Sequence, residues 1–420
     1  MDYVQVSNPH RSVTNYPTGK KAVFLVLLLG ILNTITPFSI DMYLPAFPNI
    51  ARDLHTTVAQ VSLSVSTYFL GFALGQILYG PLLDRYGRKQ PLYAGLCLYI
   101  LATFGCILMR SVEGLMMMRF VQALGGCVAS VAAMALVQDF FPPERSASII
   151  SFLILVLSVS PLLAPSVGSF VITHLGWHYV FTLLAIIVTV VLLIIFFFLP
   201  PGAPPDESIS LKPKPIISVF RQILAKPQFY VYTLSGTFSF AGLFIYVAGS
   251  PAVFMGYFHL TANQYGGVFA LLSVGFIGGS QLNHLLHKKY TNEQIFKVIL
   301  IAQVIAGALF TVCVVNGWIG ITGTLVFLFA NLFCSGLGFP NAASLALAPF
   351  RSQAGSASAL LGFIQIGIGG IISSAVGLLH TPGSLPIAVS MMFSTAVALL
   401  IFWLGSKKTG SSFYSGVSNS

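Results

Sequence analysis

Hydrophobic residues run through this chain in long blocks, not in alternation. Apolar segments fall at 22–48, 58–79, 91–109, 115–140, 147–172, 178–199, 229–256, 263–286, 294–315, 318–348, 353–379 and 385–405, with polar turns between them. Each is about 20 residues or longer, enough for an α-helix to cross ~30 Å of hydrocarbon, and none shows the two-residue period of ~10-residue barrel strands. The pattern predicts an all-α membrane protein of twelve transmembrane helices. Between the sixth and seventh segments lies the longest connection, rich in proline (Pro200, Pro201, Pro204, Pro205, Pro213, Pro215) and in mixed charge. A polar, proline-rich joint midway along a membrane chain divides it into half-bundles. We therefore expect two six-helix bundles, 22–199 and 228–405, joined by a linker at 200–227 and flanked by tails at 1–21 and 406–420. Met1–Gly19 and Thr409–Ser420 have nothing to bury and are expected to be disordered.

Composition changes the picture only by excluding water as the solvent. Hydrophobic residues make up 56% and charged residues 7% of the chain, against about 25% charged in a soluble domain, and the mean hydropathy is +0.88. The first span lacks a small-residue cleavage site and reads as a retained helix, not a removed signal peptide. The net charge of +10 is scattered through short loops, so it speaks for orientation and not for nucleic acid. Lys20, Lys21, Arg85, Arg88, Lys89, Arg145, Lys212, Lys214, Arg221, Lys226, Lys288, Lys289, Lys297, Arg351, Lys407 and Lys408 fall on one side, and only Arg52 and Arg110 on the other. Both termini are expected in the cytoplasm. The five cysteines (Cys97, Cys106, Cys127, Cys313, Cys334) lie inside apolar segments without paired spacing, which argues against disulfides or zinc. His55, His174, His178, His259 and His380 sit at loops or helix ends and are expected at the interface. With no H-E-x-x-H, no Walker loop and no dense His/Asp/Glu cluster, an enzyme is not expected, nor a catalytic or metal-ligating residue.

The candidate chemistry is sparse and therefore conspicuous. In the 30 residues Ala22–Ala51 the one charge is Asp41, with Pro37, Pro45 and Pro48 kinking the chain around it. An ionised Asp at the centre of a membrane helix costs roughly 2.5–3.5 kcal/mol on insertion scales, so such residues face an interior cavity and mark ion pathways. A carboxyl in an apolar cavity is favoured in its neutral form and can release its proton when water or a cation arrives. Arg119 in the fourth segment stays charged at any working pH and needs an interior partner: Asp41, or the cavity's carbonyls and Gln122.

Between the second and third segments stands Gly80-Pro81-Leu82-Leu83-Asp84-Arg85-Tyr86-Gly87-Arg88-Lys89, whose glycines permit packing and turning while Asp84 and Arg88 set opposite charges at helix ends. After the eighth segment, Leu285-Leu286-His287-Lys288-Lys289-Tyr290 faintly echoes it. The first stretch resembles the G-x-x-x-D-R-x-G-R-K signature of the major facilitator superfamily at every defined position. In that family Asp84, Arg85 and Arg88, with Gly80 and Gly87, would form a gate at the cytoplasmic ends, joined by Asp139 on the fourth span. Arg119-Phe120-Val121-Gln122-Ala123-Leu124-Gly125 resembles the fourth-span signature of proton-coupled members. Ser160-Pro161-Leu162-Leu163-Ala164-Pro165-Ser166-Val167-Gly168 resembles the antiporter signature of the fifth span, with Pro161, Pro165 and Gly168 in its key places.

Together with Asp41-Met42-Tyr43-Leu44-Pro45-Ala46-Phe47-Pro48, Gly338-Phe339-Pro340-Asn341-Ala342 and 354–362, these stretches resemble the bicyclomycin/chloramphenicol-resistance (Bcr/CflA) group of drug:proton antiporters. The resemblance implies efflux of medium-sized amphipathic drugs across a bacterial inner membrane by alternating access, coupled to protons through Asp41 and Arg119, with no cofactor beyond the proton. Export of an endogenous metabolite by the same machinery, or proton-linked import, are the alternatives. Asn33 stands where some related exporters carry a second acid, so one proton per cycle and neutral or weakly charged cargo are expected. Asn33, Phe38, Tyr68, Gln122, Tyr232, Phe238, Tyr246, Asn331 and Gln365 are the candidate cavity residues. The expected partners are lipid, a small-molecule substrate and protons, without nucleic acid, and the chain is expected to act as a monomer.

Overall fold

The computed structural model describes Pro17, 19–207, 211, 213–350, 354–378 and 383–406. Lys212, Arg351, His380, Lys407, Lys408, most of the amino-terminal head and the 409–420 tail lie outside the described residues. Fourteen α-helices account for nearly all of these residues, in the order α1 (Gly19–Asp41), α2 (Phe47–Asp53), α3 (Val58–Arg85), α4 (Lys89–Leu108), α5 (Val112–Phe140), α6 (Pro143–His174) and α7 (His178–Phe198), then α8 (Pro213–Leu224), α9 (Pro227–Pro251), α10 (Ala262–Leu286), α11 (Asn292–Val315), α12 (Ile321–Leu347), α13 (Ala354–Leu378) and α14 (Leu385–Ser406). Leaving out the short α2 and α8, twelve helices remain. Along the described residues eleven are long and apolar enough to cross a membrane, and α6, 32 residues long, completes the set. Side chains such as Leu101, Phe197, Val298 and Phe393 are exposed on the outward faces, where lipid is the fitting solvent.

Two expectations need correction. The first apolar segment is not one kinked helix: α1 stops at Asp41, a 3-10 turn follows at Leu44–Ala46, and α2 restarts from Phe47. Pro45 and Pro48 offer no backbone N–H to a continuing α-helix, whereas each is tolerated in the first turn of a new one. The proline-rich joint also contains a helix, α8. Its Ile223 is buried in, and its Val219 and Phe220 pack against, an apolar cluster that includes Phe229, Phe296 and Phe402, so this part of the linker is docked on the second bundle.

Helix ends are fixed locally. Thr57 and Ser111 cap α3 and α5 by accepting from Gln60 and Gly114, and Thr261 and Thr291 form capping boxes with Gln264 and Gln294. Within each bundle small residues let backbones approach, as membrane helices require when no hydrophobic effect drives them together. A Cβ on Gly71 would strike the Phe120 carbonyl of α5, and one on Gly75 would meet Cys127 at 2.5 Å. The second bundle repeats the device, with Gly279 against the Phe333 carbonyl and Gly336 against the Phe276 carbonyl, joining α10 to α12.

The bundles α1–α7 and α9–α14 meet along α3 with α13 and α6 with α10. We call the face bearing Arg85, Arg88 and Lys89 the basic face. Towards the opposite face the seam is tight: Ser66 and Ser373 share a hydrogen bond of 2.8 Å, and Ser169 Oγ donates to the Ala262 carbonyl at 2.8 Å. Down the seam Gln76 still lies 3.6 Å from the Cβ position of Gly362, but around Gly80 there is open space. The halves are thus closed together at the end away from the basic face and part between Gln76 and Gly80. Gly80 is not a packing glycine in this state, which corrects the packing role expected for it.

Gly71→Val would force Phe120 and its helix to move. Such overpacking costs about 1–3 kcal/mol, and the thermal midpoint of the purified protein should fall, whereas Gly267→Ala, at a site with nothing within 4 Å, should leave it unchanged.

Candidate functional site

The site begins with a helix end. Because α1 terminates at Asp41, the carbonyls of its last turn lack intrahelical donors, and Arg119 of α5 supplies one: its Nη2 donates to the Ser39 carbonyl at 2.9 Å. A cation is favoured there by the negative end of the helix dipole. Nη1 donates to Gln122 Oε1 at 2.6 Å, Gln122 Nε2 donates to Thr103 Oγ1 at 2.7 Å, and Thr103 returns to the Tyr99 carbonyl at 2.6 Å. The Tyr99 hydroxyl closes the circuit on Ser39 Oγ at 2.5 Å. Three rings sheathe the guanidinium, Tyr68 at 4.3 Å, Tyr43 at 4.6 Å and Phe181 at 5.8 Å from its carbon to the ring centroids. Arg119 is fully buried and makes no ion pair with Asp41. Of the open partners, the carbonyl and Gln122 are the ones it takes.

Asp41 is 5% exposed and has no hydrogen bond or ion pair. Gly168, in the fifth-span proline stretch, packs its Cα so closely on Met42 that any Cβ would collide with the Met42 carbonyl. Pro165 is likewise buried there, with its carbonyl 3.7 Å from the Cβ position of Gly266, and Pro161 lies farther along α6. The stretch therefore holds the turn after Asp41 and reaches across to α10. The Leu44–Ala46 turn that follows Asp41 also packs against α9 and α10 of the second bundle.

The remaining cavity candidates divide by what holds them. Asn33 is buried and donates to the Leu153 carbonyl at 3.3 Å, tying α1 to α6. Tyr232 lies low in the second bundle, its ring 6.1 Å from that of Phe402, and the Phe238 carbonyl accepts from Ser394 at 2.7 Å. Phe38 is half-buried at the last turn of α1. Asn331 is buried against Gly242 with its Oδ1 unpaired, and Gln365 is buried on α13 beside the seam.

At the basic face, Arg88 donates to Asp84 Oδ1 at 2.5 Å and grips Asp139 with Nε at 2.8 Å and Nη2 at 3.3 Å. Asp139 Oδ2 also accepts the Ala203 N–H at 2.9 Å, and the Asp206 N–H donates to the Asp84 carbonyl at 3.1 Å. Arg85 reaches the Glu207 carbonyl at 3.4 Å, while Gly87 adopts φ +77° and packs under Pro205. The start of the linker is thus strapped over the charge cluster. Asp84 is half exposed and not buried, because its helix ends in open space. The equivalent ends of the second bundle carry a neutral pair, Asn341 donating to Asn283 Oδ1 at 2.7 Å. Among the described residues no cluster of His, Cys, Asp and Glu could hold a metal.

The sequence profile of the Major Facilitator Superfamily matches residues 29–374. The chain belongs to that superfamily. It is 30% identical over 403 residues to the uncharacterized MFS-type transporter YdgK of Bacillus subtilis (strain 168), covering 94% of this chain and 98% of the relative. It is 28% identical over 387 residues to a bicyclomycin resistance protein homolog of Haemophilus influenzae, covering 91% and 96%. Its fold matches the crystal structure of a D-xylose-proton symporter with a TM-score of 0.69 at 14% identity, covering 90% of this chain and 97% of the other. The protein is a multi-pass membrane transporter of the superfamily and not an enzyme.

Several residues around the superfamily site escaped the sequence reading. Tyr43 stood in the quoted Asp41–Pro48 stretch but gave no sign of facing Arg119, and Ser39, Tyr99 and Thr103 are ordinary residues of apolar helices. Their one signal is a polar group at helical spacing in an otherwise apolar span. Arg119→Lys tests the arrangement, since an ammonium cannot span the Ser39 carbonyl and Gln122 while lying flat on two rings. About 1–3 kcal/mol should be lost, seen as a lower thermal midpoint, with Arg119→Met worse again.

Proposed function

We propose that the protein is a proton-coupled exporter of medium-sized amphipathic molecules of the bicyclomycin or chloramphenicol kind. It works as a monomer in a bacterial inner membrane with the basic face and both termini in the cytoplasm. Residues 22–199 and 228–405 act as the two moving halves and 200–227 as their joint. The reading rests on one observation: Asp41 is buried without a cation, next to the turn at which the first half meets the second. An ionised carboxylate in that place is uncompensated and costly, whereas the neutral acid is tolerated. Proton uptake from outside therefore goes with closure of the outer seam, and release inside goes with cargo binding from the cytoplasm.

Arg119 supports this cycle by holding the helix end that carries Asp41, with its charge spread over carbonyl, amide and aromatic faces so that the acid stays unpaired. The gate residues Asp84, Arg88 and Asp139, with Arg85 at the end of α3 reaching to the linker, steady the half that contains Asp41. Gln365, Asn331, Phe38 and Phe238 supply polar and aromatic surface for cargo in the space between the bundles. Asn33, being neutral, leaves Asp41 as the single carrier. One proton moving through 100 mV supplies ~2.3 kcal/mol, about fiftyfold in cargo concentration. No cofactor takes part. Relatedness to a bicyclomycin resistance protein homolog supports the cargo class.

Purified protein in weakly buffered detergent should release about one proton per molecule of bound neutral antibiotic, read with a pH-sensitive dye. Asp41→Asn should abolish that release while the protein stays folded and still binds cargo. Unchanged release from the variant would remove Asp41 from the mechanism.

A further inference from the structure

The second bundle turns a row of aromatic rings towards the first. α9 touches α3 and α10 touches α6, so both stand at the seam; α12 packs between them, with α11 behind it. Towards the closed end of α9, Tyr246 is buried with its ring 5.2 Å from that of Phe269. Next to it Phe244 meets Phe69 of the first bundle edge to face, centroids 4.8 Å apart, and its ring fills the space that a Cβ on Gly369 would need. Phe244 and Phe69 are 6% and 5% exposed and close the seam at this level. One turn nearer the basic face stands Phe240, whose ring lies 5.6 Å from Phe244, 6.0 Å from Phe276 of α10 and 4.8 Å from Phe339 of α12. A ring from α9 meets one from α10 across the face of α12 turned away from α11, and that face looks onto the first bundle. Phe240, Phe276 and Phe339 are each partly exposed, unlike the buried pair above them, and they lie on the side towards which the halves part.

We propose that Phe240, Phe276 and Phe339 form a shelf that takes the aromatic ring of a neutral cargo molecule. This rests on the exporter reading given above and adds which part of the cargo the second bundle recognises. Phe240 and Phe339 are tilted by 36° and Phe240 and Phe276 by 61°, so the shelf offers ring faces and ring edges together. An incoming ring can stack on one and meet the edge of another, a gain beyond the area buried that an aliphatic group of equal size does not receive. Rings that served packing alone would be closed off like Phe69 and Phe244. Partly exposed rings in an apolar wall keep surface that a ligand can cover. Charge takes no part in the recognition: α9, α10, α12 and α13 contain no Asp, Glu, Lys or Arg, so a charged group brought to this wall loses water and gains no partner. The shelf therefore sorts cargo by the presence of a ring, not by size or charge.

The test compares two neutral probes on the purified full chain by titration calorimetry: chloramphenicol, which carries a nitrophenyl ring, and bicyclomycin, which has no aromatic ring. In Phe240→Leu the ratio of their dissociation constants should move about fivefold against chloramphenicol, the factor that one aromatic pair supplies. Phe240→Tyr, which keeps the ring, should restore the ratio. Phe339→Leu carries the same expectation and stands in if Phe240→Leu is not monodisperse. A wild-type ratio in a monodisperse leucine variant, whether both affinities hold or both fall together, overturns the shelf and leaves the exporter reading standing. So does wild-type protein that binds bicyclomycin and not chloramphenicol. Wild-type protein that binds chloramphenicol alone supports the shelf, and the loss in Phe240→Leu is then read on that compound. Wild-type protein that binds neither, and releases no proton on adding either, overturns both.

Discussion

The hydrogen bond from Arg119 to the Ser39 carbonyl organises this transporter, because it settles two things at once. In a continuing helix that carbonyl would accept from the N–H four residues on, at Tyr43. With the helix broken ahead of Pro45, the guanidinium takes that place and holds the end of α1 against α5. Held by a carbonyl, an amide and three aromatic rings, Arg119 makes no ion pair with Asp41, although its Nε is left without a partner. The consequence is a carboxyl that sits beside a strong cation's helix yet is not neutralised by it. Had the two paired, the cation would hold the acid in its ionised form, which the proton-carrying role proposed above does not allow.

That arrangement works only if the surrounding helices hold their places to within a fraction of an ångström. Glycines do this on both sides of the site: Gly168 brings α6 onto the Met42 backbone, and Gly71 and Gly75 bring α3 onto α5. Close backbone contact of this kind is rigid within a bundle, since any added side chain has no room. Between bundles the contacts differ in character. They are single hydroxyl bonds such as Ser66 with Ser373 and Ser169 with the Ala262 carbonyl, together with the rings of Phe69 and Phe244 at 4.8 Å. Such bonds are made and lost cheaply, which suits a seam that must open.

Much of the fold was legible from block length alone, because a membrane span needs some 20 apolar residues and leaves few alternatives. The break after Asp41 was only half legible. Three prolines announced a disturbance, but whether they bend a helix or end it depends on whether another group satisfies the freed carbonyls, and Arg119 is 78 positions away in the chain. The docked α8 was hidden for a related reason: its prolines and charges read as linker, while the apolar positions that bind it to the second bundle are few. At the site, Asp41 and Arg119 stood out as charges in apolar spans. What the sequence could not convey was that they avoid each other, nor that Asn33 bonds to the α6 backbone. Direction of a side chain across a bundle is a property of packing and leaves no mark on spacing.

The two bundles also divide the labour of charge unequally. Asp41, Arg119, Asp84, Arg88 and Asp139 all belong to the first, and the start of the linker is strapped to that same bundle through Asp139 and Asp84. The second bundle presents neutral counterparts in the corresponding places: the Asn283–Asn341 pair where the first has its charge cluster, and Gln303, bonded to Ser239 and Ser335, at the core of its polar network. A pair of amides joins helix ends without burying a charge, and this one ties α10 to α12 within the second bundle. Rocking the second bundle against the first breaks hydroxyl contacts such as Ser66 with Ser373, while the Arg88 ion pairs with Asp84 and Asp139 lie within the first bundle. Asp41 is then the buried acid of the first bundle that lacks an ionic partner, and under the function proposed above the electrostatic cost of switching falls on it.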